Sequence, residues 1–305
     1  MTRDATLPWL ALVVFGLGWG LMQPMTKIAV NGGFEPFGIM VWQGAVTLGL
    51  AGGLAVRKGL PKGVVQWLFC TQIAILGTLI PHFASFTAIA YIPAGLVAII
   101  MALIPIFALT LGALVGREAL TPLRITGILM GLSAMVLIAA TRGAVGSGPL
   151  WAVAVAAIAP LCYAINSTIT VTRGMAGLHP LQAYAGAAII FLPISFFGAV
   201  WSDQLRGVGV DVVSFAVLAS AVGHTLIYAG YLWLLTCSGA VFASQTAYLV
   251  TGFGVIWSML ILGERYSGWV WVALILMLAG LTLVRPAVTH AQTVLAHARG
   301  PHDTH

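Results

Sequence analysis

Two histidines, His82 and His224, lie deep inside long apolar segments of the sequence. A neutral imidazole offers one hydrogen-bond donor and one acceptor, and it can change charge between about pH 5 and 8. Each histidine could therefore bind a solute, carry a proton or hydrogen-bond two helices together. The sequence supports solute binding and helix contact equally.

Amide and aromatic side chains form a second group inside the apolar segments. Amides carry donors and acceptors that suit a carboxylate or an ammonium group, and aromatic rings suit a planar or apolar ligand. The residues predicted to bind a solute are Trp19, Gln23, Trp42, His82, Tyr163, Asn166, His224, Tyr228, Gln245 and Tyr248. For each one alone, hydrogen bonding between helices or core packing is the simpler interpretation.

The sequence lacks the groupings of side chains that enzymes use. It contains no His-Glu-x-x-His, P-loop or Gly-x-Ser-x-Gly motif, and no Asp or Glu lies deep in an apolar segment. Cys70, Cys162 and Cys237 each stand alone in an apolar run, which is typical of small buried side chains rather than of metal ligands or disulfides. We expect no catalytic residue, no metal and no cofactor, and no ATP-driven pump.

The elements that must position these side chains are predicted to be membrane-spanning helices. Of the 305 residues, 60% are hydrophobic and 7% are charged, whereas a soluble domain carries about 25% charged residues. Runs of about 20 apolar residues, enough for a span, occur at 7–30, 36–56, 64–91, 94–115, 122–140, 150–171, 180–201, 212–235, 240–263 and 267–284. The sequence thus predicts an all-α integral membrane protein with ten transmembrane helices.

Basic residues in the loops predict the orientation. With the N-terminus in the cytoplasm, nine Lys and Arg residues fall on that side and four on the other. The cytoplasmic set is Arg3, Arg57, Lys58, Lys62, Arg117, Arg124, Arg173, Arg285 and Arg299, and the opposite set is Lys27, Arg142, Arg206 and Arg265. The positive-inside rule then places both termini in the cytoplasm. Because the net charge of +6 is scattered, we expect membrane lipids and no nucleic acid as partners.

The two halves of the sequence resemble each other. A shift of 142 residues superposes His82 on His224, and a shift of 146 superposes Glu118 on Glu264. Each Glu could pair with its neighbour, Arg117 or Arg265. We predict one five-helix repeat over 1–145, a second over 146–285, and a polar cytoplasmic tail without fixed structure over 286–305. Five is an odd number, so the second repeat would enter the membrane inverted, as in many secondary transporters. Chance similarity between apolar helices is the alternative.

Proline and glycine mark points in paired spans where a helix could bend. Pro105 lies halfway along the fourth run, and Gly252 and Gly254 lie at the matching depth of the ninth. Proline removes a backbone hydrogen bond and glycine adds backbone freedom. These three residues are predicted hinges, and close helix packing through small residues is the alternative interpretation.

Several motifs resemble one family of membrane proteins along nearly the whole chain. They are Trp19-Gly20 followed by Pro24 and Lys27, the passage 88–94 (AIAYIPA), Pro105, and the span endings at 116–118 and 262–265. In these the sequence is similar to the EamA-type members of the drug/metabolite transporter superfamily. The resemblance implies ten helices around a central cavity in the bacterial inner membrane. It also implies export of aromatic and other apolar amino acids.

The expected function is therefore a secondary transporter that exports amino acids by alternating access. Because no span holds a deep carboxylate, we expect gradient-driven uniport by a monomer or weak homodimer. One alternative is a carrier of the same fold for a nucleoside, thiol or drug, with proton coupling through histidine. An intramembrane enzyme and a receptor that transports nothing are two others. The first would need a further acid or metal ligand beside the histidines, and the second would not need inverted repeats.

Overall fold

The computed structural model describes residues 3–56, 59–116, 119–140 and 148–283, and every regular element in these ranges is a helix. In chain order the helices are α1 (Arg3–Asn31), α2 (Pro36–Val56), α3 (Val64–Ile89), α4 (Ala94–Leu114), α5 (Pro122–Ala140), α6 (Leu150–Arg173), α7 (Pro180–Trp201), α8 (Val212–Ser244), α9 (Thr246–Leu262) and α10 (Gly268–Leu283). Three predictions concern residues outside the described ranges: the boundary between the repeats at 145, the pairing of Glu118 with Arg117, and the tail 286–305.

Length and composition identify most of these helices as candidates to cross a membrane. Six are long and apolar enough: α1 over Leu7–Asn31, α3, α4, α6, α7, and α8 over Val212–Leu235. Three shorter apolar helices cover Pro122–Ile138, Thr246–Leu262 and Gly268–Gly280. The predicted all-helical fold is confirmed, while the number of ten crossings stays a prediction.

Two helices are interrupted next to a proline. In α3 the segment Ile75–Leu79 is a π-helix, in which the amide of Ile80 bonds the carbonyl of Ile75, and Pro81 follows at once. In α4 the α-helix stops at Ile100 and resumes at Leu103. Pro105 cannot donate to the carbonyl of Met101 four residues back, and that carbonyl accepts from the Ile104 amide instead, at 3.0 Å. The predicted weak point at Pro105 thus coincides with a real break in the helix.

The eighth and ninth predicted spans meet differently from the prediction. The predicted runs end at 235 and resume at 240, but α8 runs unbroken from Val212 to Ser244 and the break falls at Gln245. In the first half, Pro93 separates α3 from α4. The corresponding residue in the second half is Gly239, which keeps its backbone N–H and so does not force the helix to end.

Helices pack mainly against helices of the other half. The largest contacts join α1 with α9 and α8, α2 with α7 and α8, α5 with α10, α3 with α6 and α7, and α4 with α9 and α6. When each helix is exchanged for the one five places along, this set of pairs maps onto itself. Most helix packing in the described part of the chain is therefore packing between the two halves.

Glycines allow a close contact between α1 and α9. A Cβ atom on Gly20 would lie 2.8 Å from the amide nitrogen of Gly254, and one on Gly254 would collide with the side chain of Ala98. By contrast, a Cβ on Gly252 would meet nothing within 4 Å. Helix packing therefore explains Gly254 fully, and only Gly252 of this pair has the open space that a hinge needs.

Polar contacts join the loops at one end of the bundle. Lys27 of α1 donates to the carbonyls of Ile89 (2.5 Å) and Ile92 (3.2 Å), at the end of α3. Glu264 accepts from the first two amides of α4, Ala94 (2.8 Å) and Gly95 (3.1 Å). A cation at a helix C-terminus and an anion at an N-terminus are both favourable. Glu264 thus caps α4 and does not pair with Arg265 as the sequence suggested.

The same carboxylate accepts a hydrogen bond from the Tyr266 hydroxyl. Burial, and then this bond to Glu264, raise the pKa of that hydroxyl. At this end Arg206, after α7, also donates to the carbonyl of Gly32 (2.7 Å). At the opposite end Gln66 donates to the carbonyl of Ala176 (3.2 Å). Loops separated by an even number of helices thus share an end, as expected if successive helices run in opposite directions.

The contact between Gly20 and Gly254 generates a stability prediction. Gly20→Ala should lower the unfolding free energy by about 1–3 kcal/mol, because the added methyl meets backbone that cannot rotate away. The measurement is the thermal unfolding midpoint of the purified protein in detergent.

Gly49→Ala in α2 is the matched control, because a Cβ there meets nothing within 4 Å. It should leave the midpoint unchanged or raise it slightly, since alanine favours a helix. Equal midpoints for the two variants would contradict the packing described for α1 and α9.

Candidate solute-binding site

Residues of both halves line a cavity of about 130 Å³. Its walls come from α1, α2 and α4, from α3 and α6, and from α8 and α9. A single buried water needs roughly 10–15 Å³ of such space, so the cavity has room for several waters or for part of a small solute. Its position between the halves is where a carrier built from two repeats would hold its ligand.

Seven of the ten residues predicted to bind a solute line this cavity. They are Trp19, Gln23, His82, Tyr163, Asn166, His224 and Tyr228. They lie on four helices of both halves, and their spacing along each helix puts them on one face. The structure therefore brings together most of the side chains that the sequence singled out.

The other three residues lie outside the cavity. The indole of Trp42 donates to the carbonyl of Arg206 at 2.8 Å, while its neighbour Gln43 lines the cavity. Gln245 occupies the break between α8 and α9, and Tyr248 packs against the apolar core around α4 and α6. The contact of Trp42 is thus a hydrogen bond between two elements, and the contacts of Tyr248 include core packing.

The repeat-related histidines are in contact with each other. The rings of His82 and His224 are 4.4 Å apart and perpendicular. His224 also stacks on Tyr228 at 5.7 Å, and His82 stacks on Phe86 at 5.2 Å. Contacts of this kind between aromatic rings contribute about 0.5–1.5 kcal/mol each beyond the area they bury. One wall of the cavity is therefore a continuous group of rings.

Asn166 belongs to a hydrogen-bonded chain that joins α3, α6 and α8. Its amide nitrogen donates to the Tyr228 hydroxyl (3.1 Å), and its side-chain oxygen accepts from Gln72 (3.0 Å). The hydroxyl of Thr170 donates to the backbone carbonyl of Asn166 (2.8 Å). Contact between helices thus accounts for the side-chain amide and the backbone carbonyl of Asn166. The hydrogen-bonded chain of side chains holds Tyr228 in place at the cavity.

Five buried polar side chains at the cavity each have an atom without a partner among the described residues. These atoms are the Gln43 Oε1, the His82 Nδ1, the Ser85 Oγ, the His224 Nε2 and the Thr246 Oγ1. Each residue is less than a tenth exposed. Leaving a buried polar atom unpaired costs about 1–3 kcal/mol, so a cluster of them marks a place where water or a ligand completes the hydrogen bonding.

The cavity contains no charged side chain among the described residues that line it. Lys27, the nearest cation in α1, is occupied with the carbonyls at the end of α3. Within the described part of the chain, no three His, Cys, Asp or Glu residues come together as metal ligands would. The arrangement can therefore bind a solute through rings and neutral hydrogen bonds.

Several lining residues were missed from the sequence because their types are common in any core. Ser85 and Phe86 follow His82 by three and four residues, and Ser220 precedes His224 by four. Residues three and four apart share a helix face. A search three and four positions from each predicted residue on its helix would have identified them. The same search would have found Met22 from Trp19 and Thr26 from Gln23.

Comparison of the whole fold with solved structures finds a crystal structure described only as that of a protein. The match covers 96% of this chain and 98% of the other chain, with a TM-score of 0.64. The two sequences are 19% identical, so the match shows a shared fold alone. No curated protein matches the sequence.

Comparison with family models is more informative, because one family matches twice. The EamA-like transporter family matches residues 7–140 and again residues 150–285. Members of this family are transporters rather than enzymes, which agrees with the absence of enzyme motifs from the sequence. The chain therefore belongs to the EamA-like transporter family of the drug/metabolite transporter superfamily and is a multi-pass membrane protein.

Proposed function

We propose that the protein exports amino acids, with aromatic and apolar ones preferred, across the bacterial inner membrane. The observation that carries the proposal is the uncharged cavity between the halves, lined by aromatic rings and by unpaired buried polar atoms. Rings suit an apolar side chain, and the neutral polar atoms suit a solute with no net charge. A zwitterionic amino acid meets both conditions.

A resemblance supports the choice of amino acids over other metabolites. Beyond the superfamily that the motifs around Trp19, Tyr91 and Pro105 indicate, the proposal rests on a resemblance of the sequence to the bacterial aromatic amino-acid exporter called YddG. A nucleoside, thiol or drug is the second candidate, because rings and neutral hydrogen bonds would also accept an uncharged molecule of that size. A sugar phosphate is disfavoured, since among the described lining residues there is neither Arg nor Lys.

The proposed mechanism is alternating access by ten helices in two inverted repeats. It is supported by the contacts between helices, which stay the same when the halves are exchanged, and by loops that meet at alternate ends of the bundle. The basic residues of the loops favour cytoplasmic N- and C-termini. The working unit is proposed to be a monomer or weak homodimer.

The energy source is proposed to be the gradient of the solute itself. No Asp or Glu is among the described residues that line the cavity, so the carboxylate that proton-driven exchangers use is missing from that wall. Proton coupling through His82 or His224 is the alternative.

Flux through proteoliposomes tests both the substrate and the coupling. Radiolabelled phenylalanine should reach the same internal concentration with and without a pH gradient, because uniport moves no proton. Trp19→Ala should reduce the initial rate about tenfold or more through the lost ring contact.

The matched control is Trp269→Ala, the same truncation at an exposed position on α10, and it should leave the rate unchanged. Uptake that requires a pH gradient would contradict uniport, and a panel of amino acids without flux would contradict the substrate. Equal losses from the two tryptophan variants would contradict the cavity as the site.

Bending of α4 and α9 is proposed to open the cavity to either side. Pro105→Ala restores the N–H that can bond the Met101 carbonyl, which would stiffen the break in α4. Gly252→Ala adds a methyl in open space and limits the backbone of α9. Each variant should slow transport several-fold and leave phenylalanine binding unchanged, measured by flux and by equilibrium binding on the same preparations.

Gly49→Ala serves as the control for a glycine in open space outside the proposed hinges. If both hinge variants transported at the rate of the unaltered protein, the hinge proposal would be withdrawn.

A further inference from the structure

The hydrogen bond between Trp19 and His224 determines which nitrogen of the histidine carries the proton. The indole Nε1 of Trp19 lies 3.3 Å from the His224 Nδ1 and points its N–H at that atom. An indole can donate a hydrogen bond but cannot accept one. Nδ1 must therefore be the unprotonated acceptor, and His224 is the neutral tautomer with its hydrogen on Nε2.

Within the described part of the chain, this Nε2–H of His224 is a donor without a partner. The side chain is 7% exposed and lines the cavity, and Nε2 makes no hydrogen bond with the described residues. The neighbouring rings of His82 and Tyr228 hold the imidazole on two sides. A buried N–H of this kind is complete only when an acceptor atom enters the cavity.

We infer that the Nε2–H of His224 donates to an oxygen of the solute, either a carboxylate or a carbonyl oxygen. Trp19 acts as a positioning residue, because its bond to Nδ1 keeps the proton on Nε2. The inference rests on the proposed function and deepens it: the acid end of the amino acid is recognised by a neutral donor. No Arg or Lys competes for that role among the described lining residues.

Ligands with and without an acceptor oxygen test whether His224 donates a hydrogen bond to the solute. The probes are phenylalanine, phenylalaninamide and phenethylamine, which share a ring and an amino group, but the last has no oxygen. Phenylalaninamide and phenethylamine are both cations when protonated, so their comparison isolates the carbonyl oxygen. Calorimetric titration in detergent should give phenethylamine an affinity about two- to tenfold weaker than phenylalaninamide, and phenylalanine the highest affinity of the three, since a hydrogen bond contributes about 0.5–1.5 kcal/mol to a neutral acceptor and about 1.5–3 kcal/mol to a charged one.

Two substitutions at His224 separate the roles of its nitrogens. A glutamine amide reaches approximately the position of Nε2, whereas an asparagine amide reaches that of Nδ1. His224→Gln should keep phenylalanine binding within about threefold, and His224→Asn should weaken it about tenfold or more while changing phenethylamine binding little. His179→Asn is the control, because His179 caps α7 outside the cavity and asparagine also caps helices.

Nitrogen NMR of histidine-labelled protein tests the tautomer without any ligand. The His224 signal, assigned by its loss in His224→Asn, should show Nε2 protonated and Nδ1 unprotonated. Trp19→Phe should shift this signal toward a mixture of tautomers, which mere loss of packing would not do.

The outcomes distinguish this inference from the proposed function. A proton on Nδ1 in the unaltered protein, or phenylalanine binding undiminished in His224→Asn, would overturn the inference and leave amino-acid transport standing. Absence of binding by every amino acid tested would overturn the proposed function and the inference together.

Discussion

Lipid offers no hydrogen bonds, and that constraint determines where the polar side chains of this protein lie. A polar atom facing the hydrocarbon would cost several kcal/mol, so it must find a partner inside the bundle. Asn166 and Gln72 do so by joining helices, and Lys27 and Glu264 by capping the ends of α3 and α4. Of the ten buried side-chain atoms that stay unpaired among the described residues, five lie at one place, the cavity between the halves.

The contact between halves and the position of the cavity are two aspects of one arrangement. Because α1 packs on α9 through Gly20 and Gly254, the residue next to Gly20, Trp19, reaches His224 on α8. The break in α4 at Met101 borders the same space, and Gly77 in the π-segment of α3 lies against Tyr228 and Asn166, two residues of its wall. Irregular backbone in a membrane protein occurs where it borders protein or a cavity rather than lipid, as it does here.

The sequence predicted the helices and seven of the residues that line the cavity, because both depend on patterns that it displays directly. Long apolar runs locate spans, and a polar residue within such a run must face inward, as His82 and His224 do. The sequence could not predict which groups would be hydrogen-bond partners across the bundle. Trp42 is as apolar and central as Trp19, but it bonds Arg206 on a distant loop. The charge on Glu264 suggested Arg265, whereas its partners are backbone amides of α4 that no residue type reveals.

Chemical labelling inside the cavity tests most directly whether it is the solute site. With Cys70, Cys162 and Cys237 replaced by alanine, a single cysteine is introduced by Ala247→Cys at the cavity wall or by Ser202→Cys on the exposed surface beyond α7. Labelling by a soluble thiol reagent is followed with and without saturating phenylalanine. Phenylalanine should slow labelling at position 247 several-fold and leave labelling at position 202 unchanged. Equal rates at position 247 with and without the ligand, in a protein that transports it, would contradict a solute site in this cavity.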